Sequence, residues 1–225
     1  MSRYHLWAVI TAFLALVSPA QSQSDRMRGR CDPNRQELRM PPLNALGDSA
    51  RLASILGGGA NPRARLVFVE LRFGKDGRLR EVDVTRGASS SGRAAIRDSL
   101  RSLLRPIGIS SIDVVVNVVR FNGSGQIRVF TATTTCRPEA YPTAETRSLI
   151  SRIQRDAPQT NVRRDVTVEF ILEADGQVSD AWVEFGSSYP RVDELALDII
   201  KAQRFVPAMV GEVPVAAFIR QSVKF

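Results

Sequence analysis

Histidine is nearly missing from this sequence: there is one, His5, near the start of the chain. A chain whose only imidazole lies there has no partner for a Ser-His or Cys-His nucleophile. It also lacks the usual nitrogen ligands of a catalytic zinc. There are two cysteines, Cys31 and Cys136, too few for a structural zinc site built on thiolates. Lysine is scarce, three residues against 28 arginines. The net charge of +8 is therefore arginine-borne, and no compact basic cluster marks a nucleic-acid interface. No apolar stretch reaches the ~20 residues that a membrane-spanning helix needs. Aromatics make up 7% and hydrophobic residues 44%, an ordinary balance for a folded chain of 225 residues.

The longest apolar run, Leu6 to Val17, follows a short basic start and ends at Ser18-Pro19-Ala20. This is the layout of a secretory signal peptide, with cleavage expected after Ala20. The mature chain is then expected to be periplasmic or secreted, with no stable membrane span. An uncleaved anchor in the inner membrane is the alternative. In an oxidising compartment an even number of cysteines points to a bridge, here Cys31 to Cys136, with two free thiols as the competing reading.

Residues 21–64 read as a polar tail followed by a short amphipathic helix carrying Leu43, Leu46, Leu52, Ile55 and Leu56, closed by Gly57-Gly58-Gly59. Beyond Arg65 the period changes to two. Leu66 to Phe73 and Leu79 to Thr85 flank Lys75-Asp76-Gly77, a hairpin signal. Ser89 to Ser91 offer helix caps, and Ala94, Ala95, Leu100, Leu103 and Leu104 lie on an amphipathic helix that Pro106 stops. Strands are expected at Asp113 to Phe121 and Gln126 to Thr134. The second half repeats the order: strand Val166 to Leu172, turn Ala174-Asp175-Gly176, strand Val178 to Phe185, a helix through Val192, Leu195, Ile199 and Ala202, and a last strand from Val215 to Phe225. Aligning residues 68–89 with 167–188 gives seven identities in 22 positions: Val69, Glu70, Asp76, Gly77, Val84, Gly87 and Ser89. A repeat of this kind means two copies of one supersecondary unit. The expected fold class is α+β: tandem ββαβ units, each a small antiparallel sheet with one helix packed on it. The expected domains are 1–20 as signal peptide, 21–64 as tail and short helix, and repeats at 65–135 and 136–225.

The second repeat resembles the C-terminal domain of the TonB family. Tyr141-Pro142 leads into an amphipathic stretch from Ala144 to Gln154. Then come VTVEFIL from Val166 to Leu172, Asp175-Gly176-Gln177-Val178, Gly186-Ser187-Ser188, Leu195-Ala196-Leu197, Phe205-Val206-Pro207-Ala208, Gly211 to Val215, and the terminal Val223-Lys224-Phe225. The first repeat is a degenerate match, with Arg105-Pro106-Ile107 where the family has an aromatic-x-Pro-Ala segment. The family's anchored energy transducers carry a long Pro-rich spacer, and this sequence has none.

The resemblance implies a non-enzymatic binding module. Its last strand accepts a short peptide of an outer-membrane transporter or another envelope protein by adding it to the sheet edge. The residues so implied are Ala217, Phe218, Ile219, Arg220, Gln221, Ser222 and Val223. The competing reading pairs that strand within the protein. A structural scaffold whose edges are covered by homodimerisation is the alternative function, and a carboxylate-only hydrolase a third. Asp193, Glu194 and Asp198 are the nearest thing to a catalytic acid cluster, and helical spacing on a solvated face accounts for them. No cofactor and no metal are expected.

Overall fold

The structure, a computed structural model, describes residues 46–108, 110, 112–156 and 165–224. The chain order is α1 (Ser49–Gly58), β1 (Leu66–Phe73), β2 (Leu79–Arg86), α2 (Ser90–Leu103), β3 (Val114–Phe121), β4 (Ile127–Thr131), β5 (Glu139–Tyr141), α3 (Ala144–Asp156), β6 (Asp165–Leu172), β7 (Val178–Phe185), α4 (Pro190–Ala202), β8 (Arg204–Val206), β9 (Ala208–Val210), β10 (Val213–Val215) and β11 (Ala217–Lys224). All of these lie in one compact unit, Cys31–Phe225. The α+β class with antiparallel sheets and tandem strand–strand–helix–strand units is what the sequence pattern led us to expect.

The two units make the same kind of turn between their first two strands. In the first unit Gly77 takes φ +73°, its N–H bonds to the Gly74 carbonyl at 2.8 Å, and the Asp76 carboxylate accepts the Arg78 N–H at 3.1 Å. In the second, Gly176 takes φ +83°, its N–H reaches the Glu173 carbonyl at 3.0 Å, and Asp175 accepts the Gln177 N–H at 2.9 Å. Left-handed backbone at that point favours glycine, and Asp tethers its own loop two residues on.

The helices enter by different devices. Asp48 caps α1 by accepting the Ala50 N–H at 2.8 Å, and Ser89 caps α2 by accepting the Gly92 N–H at 2.9 Å. Tyr189 gives α4 no side-chain cap; Pro190 starts it, and Asp193 in its first turn accepts both the N–H and the hydroxyl of Ser187 at 2.8 Å. That fastening explains Asp193 as an anchor of the α4 entry rather than part of an acid cluster. Gly59, which caps α1, lies against Gly92: a Cβ on Gly92 would stand 2.1 Å from the Gly59 carbonyl oxygen.

The first sheet runs β2-β1-β3-β4 and the second β11-β6-β7, all antiparallel. The small pairs β5-β8 and β9-β10 complete the second unit. Three details differ from expectation. Two helices rather than one contribute to the core over each sheet, because the amphipathic leaders α1 and α3 bury Leu52, Leu56, Leu149 and Ile153 beside the repeat helices. The strand expected at Gln126 to Thr134 stops at Thr131, where the Thr131 hydroxyl donates to the Thr133 carbonyl and accepts the Thr133 N–H, turning the chain out of the ladder. The last strand begins at Ala217 rather than Val215, because Gly211 at φ +60° folds Val213–Val215 back on Ala208–Val210 as a separate hairpin. Phe225 lies outside the described residues.

Strand alternation builds three cores. Val67, Val69, Leu71, Phe73, Val114, Val116 and Val118 face the helices of the first unit. Val166, Val168, Phe170, Leu172 and Val223 do the same in the second. The opposite faces of the two sheets meet in a third cluster of Leu66, Val119, Phe130, Ile171 and Trp182, with Phe68, Phe121 and Phe218 packed on it. Phe218 sits 5.1 Å from Phe68 and 5.8 Å from Trp182, and Phe121 meets Trp182 edge-on at 5.9 Å. Each such pair contributes about 0.5–1.5 kcal/mol beyond its buried area. The two repeats therefore stack sheet against sheet.

Candidate functional site

β11 lies at the end of its sheet, paired on one side with β6 from Ala217 opposite Leu172 to Lys224 opposite Asp165. On its other side no strand stands among the described residues. The residues expected on this edge divide by face. Ile219 and Val223 join the helix-covered core. Phe218 enters the seam between sheets. Arg220 and Ser222 are exposed, Gln221 is half-buried and Ala217 is buried. Arg220 and Ser222 also line an open pocket of about 430 Å³ with Asp165, Thr167 and Phe185. Phe185 is 44% exposed, and the Arg220 guanidinium lies over its ring at 5.3 Å. Trp182, its neighbour on β7, is instead buried in the seam.

Behind β11 lies a charge network that the sequence reading passed over. Glu169, at the centre of β6, is 1% exposed. Its carboxylate accepts from Arg86 of the first unit at 2.6 Å and from the Trp182 indole N–H at 3.1 Å. The same Arg86 reaches Glu184 at 2.8 Å, and Glu184 pairs with Arg220 at 3.0 Å. Two carboxylates and two guanidiniums are thus chained from the first repeat to the edge strand of the second. Arg86 also lies over the rings of Phe68 and Phe218, at 5.4 and 5.5 Å. Burial pushes the Glu169 carboxyl above its ordinary range; the Arg86 hydrogen bond opposes the rise and the neighbouring Glu184 adds to it. The signal was available: Glu169 is the one charged residue in VTVEFIL, and it repeats Glu70.

Cys31 lies outside the described residues. Cys136 sits where the chain bridges to Met209 beside β9, and there is no free cysteine among the described residues. Also among the described residues, no cluster of three or more metal-ligating side chains occurs and no helix is long and apolar enough to cross a membrane.

The strand order, the Asp-Gly hairpin and the closing β9–β11 segment define a unit that can be compared with known families. Residues 155–225 match the family described as Gram-negative bacterial TonB protein C-terminal. The matched segment holds β6, β7, α4 and β8 to β11, so it contains the whole second sheet and the open edge. The first repeat and most of α3 lie outside the TonB C-terminal match. No curated protein and no solved structure matches the chain.

Proposed function

We propose that this protein is an exported envelope-binding module that recruits an extended peptide segment of a partner protein onto the edge of β11. The partner class is an outer-membrane transporter or another envelope protein. The observation that carries the reading is the position of β11: it is the outer strand of the sheet within the segment that matches the TonB C-terminal family. An outer strand offers backbone donors and acceptors that another strand can take up. Binding needs no catalysis, and we assign no catalytic residue. In the same reading the chain is cleaved near Ala20, and Cys31 and Cys136 form a disulfide that ties the leader of the first repeat to that of the second.

A photo-crosslinking residue placed at Ser222, on the exposed face of β11, tests this in cells with an intact envelope. The expected result is an adduct with an envelope protein that a probe at Glu81, on β2, does not give. Adducts from β2 alone, or from neither strand, overturn the proposal. A homodimeric adduct through Ser222 would replace it with the scaffold reading.

A further inference from the structure

The two repeats differ at one position in the sheet. In the first, β3 has β1 on one side and β4 on the other. In the second, β11 stands where β3 stands. Glu70 of β1 lies opposite Asn117, and its repeat mate Glu169 of β6 lies opposite Arg220. The place corresponding to β4 holds no strand among the described residues.

β4 therefore shows, within this molecule, what a strand at that edge does. Its Ile127 and Val129 pack against the helix-covered core, while Phe130, next after Val129, turns to the opposite face and enters the seam. Carried onto β11, one face of an added strand lies on the side of α3, whose Leu149 and Ile153 share a cluster with Ile219 and Val223. The other face stands beside Arg220, Ser222 and Lys224. Arg220 and Lys224 are exposed cations on that face, and β11 itself carries no acid. The Arg220 side chain is 55% exposed; its Nε meets Glu184, and a guanidinium has further N–H donors to offer.

Resting on the strand-addition reading above, we infer that β11 selects an acidic strand. The segment that fits carries carboxylates four residues apart on one face, opposite Arg220 and Lys224, and aliphatic side chains on the other face toward α3. In the first repeat the equivalent edge, that of β3, is already filled by β4.

The test uses the mature protein and three synthetic ten-residue peptides of one alternating Val/Thr pattern. They carry Glu, Gln or Lys at two same-face positions four apart. Binding is measured by calorimetry at low salt, and the site is located by amide hydrogen exchange. Opposite charges paired across strands favour association and like charges oppose it. The Glu peptide is expected to bind on the order of tenfold tighter than the Gln peptide, with the Lys peptide weakest. Protection should fall on β11, and raising the salt should erase the preference. Lys224→Glu, at the exposed strand end, should shrink the preference, and Arg220→Glu/Lys224→Glu should invert it toward the Lys peptide. Equal binding of the Glu and Gln peptides with protection on β11 overturns the charge selection and leaves strand addition standing. Protection elsewhere, or no binding by any of the three, overturns both.

Discussion

Arg86 and Glu169 meet at 2.6 Å although they belong to different repeats, and Glu169 has almost no contact with solvent. A charge this deep is tolerated only when paired and hydrogen-bonded. Removing one partner strands the other, which costs about 3–5 kcal/mol for a fully buried pair. Arg86 is partly exposed, and Glu169 keeps the Trp182 N–H. Arg86→Met is therefore expected to destabilise the protein by about 2–4 kcal/mol in urea unfolding. Adding Glu169→Gln should recover part of that loss, since the amide oxygen still accepts from Trp182 and no buried charge remains without Arg86. Additive losses in the double variant would show that the pair is not coupled.

The pH dependence has two opposing parts. Glu169 has a folded-state pKa above its unfolded value near 4.5, chiefly from burial. Its contribution is full below that value and is lost as pH rises through the folded pKa. Glu173 is shifted the other way, chiefly by its hydrogen bond from Arg128 across the repeats, at 2.9 Å. Its contribution is present above about pH 4.5 and is lost as pH falls through its lowered pKa. Glu169→Gln should therefore gain stability relative to the parent as pH is raised from 4.5, whereas Glu173→Gln should lose its disadvantage below pH 4. Parallel stability curves for parent and Glu169→Gln would refute the assignment.

The elements were legible because their signals are local. Asp76-Gly77 and Asp175-Gly176 fix two hairpins by their own geometry, and the helices follow caps and period. The stacking of the two sheets was not legible. Phe68 and Phe218 are 150 residues apart, and the alternation of β1 and β11 puts them on the faces away from the helices without saying what covers those faces. The edge position of β11 came from family resemblance rather than from its residues. Its apolar members Phe218, Ile219 and Val223 suit an edge or a central strand equally. The fourth strand of the first sheet, which closes one repeat and not the other, was expected from the stretch Gln126 to Thr134, but its consequence shows only when the two sheets are laid side by side.

The two turn glycines should differ in severity. Alanine at either takes on left-handed strain of about 1–3 kcal/mol. A Cβ at Gly77 would also stand 1.8 Å from the Ile107 carbonyl oxygen, and one at Gly176 2.4 Å from that of Phe205. Both obstacles are backbone, so both turns must move, the first by more. Thermal melts should rank Gly77→Ala below Gly176→Ala, and both below the parent. Equal melts would mean that the Ile107 segment yields freely.

The proposed Cys31–Cys136 bridge would close a loop of about 100 residues, for which chain entropy gives on the order of 4–5 kcal/mol. Peptide mapping without reductant should recover the linked pair from exported protein. Cys31→Ser and Cys136→Ser should each lower the melting temperature by the same amount, and the double variant by no more than either. Two alkylatable thiols in native protein would dismiss the bridge.

Proline at two adjacent positions separates the outer edge of β11 from its inner one. Successive residues of a strand send their N–H groups to opposite sides, so one of Ile219 and Arg220 donates toward β6 and the other toward the open edge. Proline removes the donor and is tolerated only where the N–H has no ladder partner. One of Ile219→Pro and Arg220→Pro should therefore unfold the second unit, and the other should fold yet bind its peptide less well. A lost strand-to-strand hydrogen bond costs about 0.5–1.5 kcal/mol, or roughly two- to tenfold in affinity. Circular dichroism melts identify the folded variant, and titration with the captured partner segment measures the loss. If the folded variant binds as the parent does, the partner does not add to β11. If both variants unfold, both sides of the strand are paired within the chain, and recruitment must occur at β7, the other edge of the same sheet.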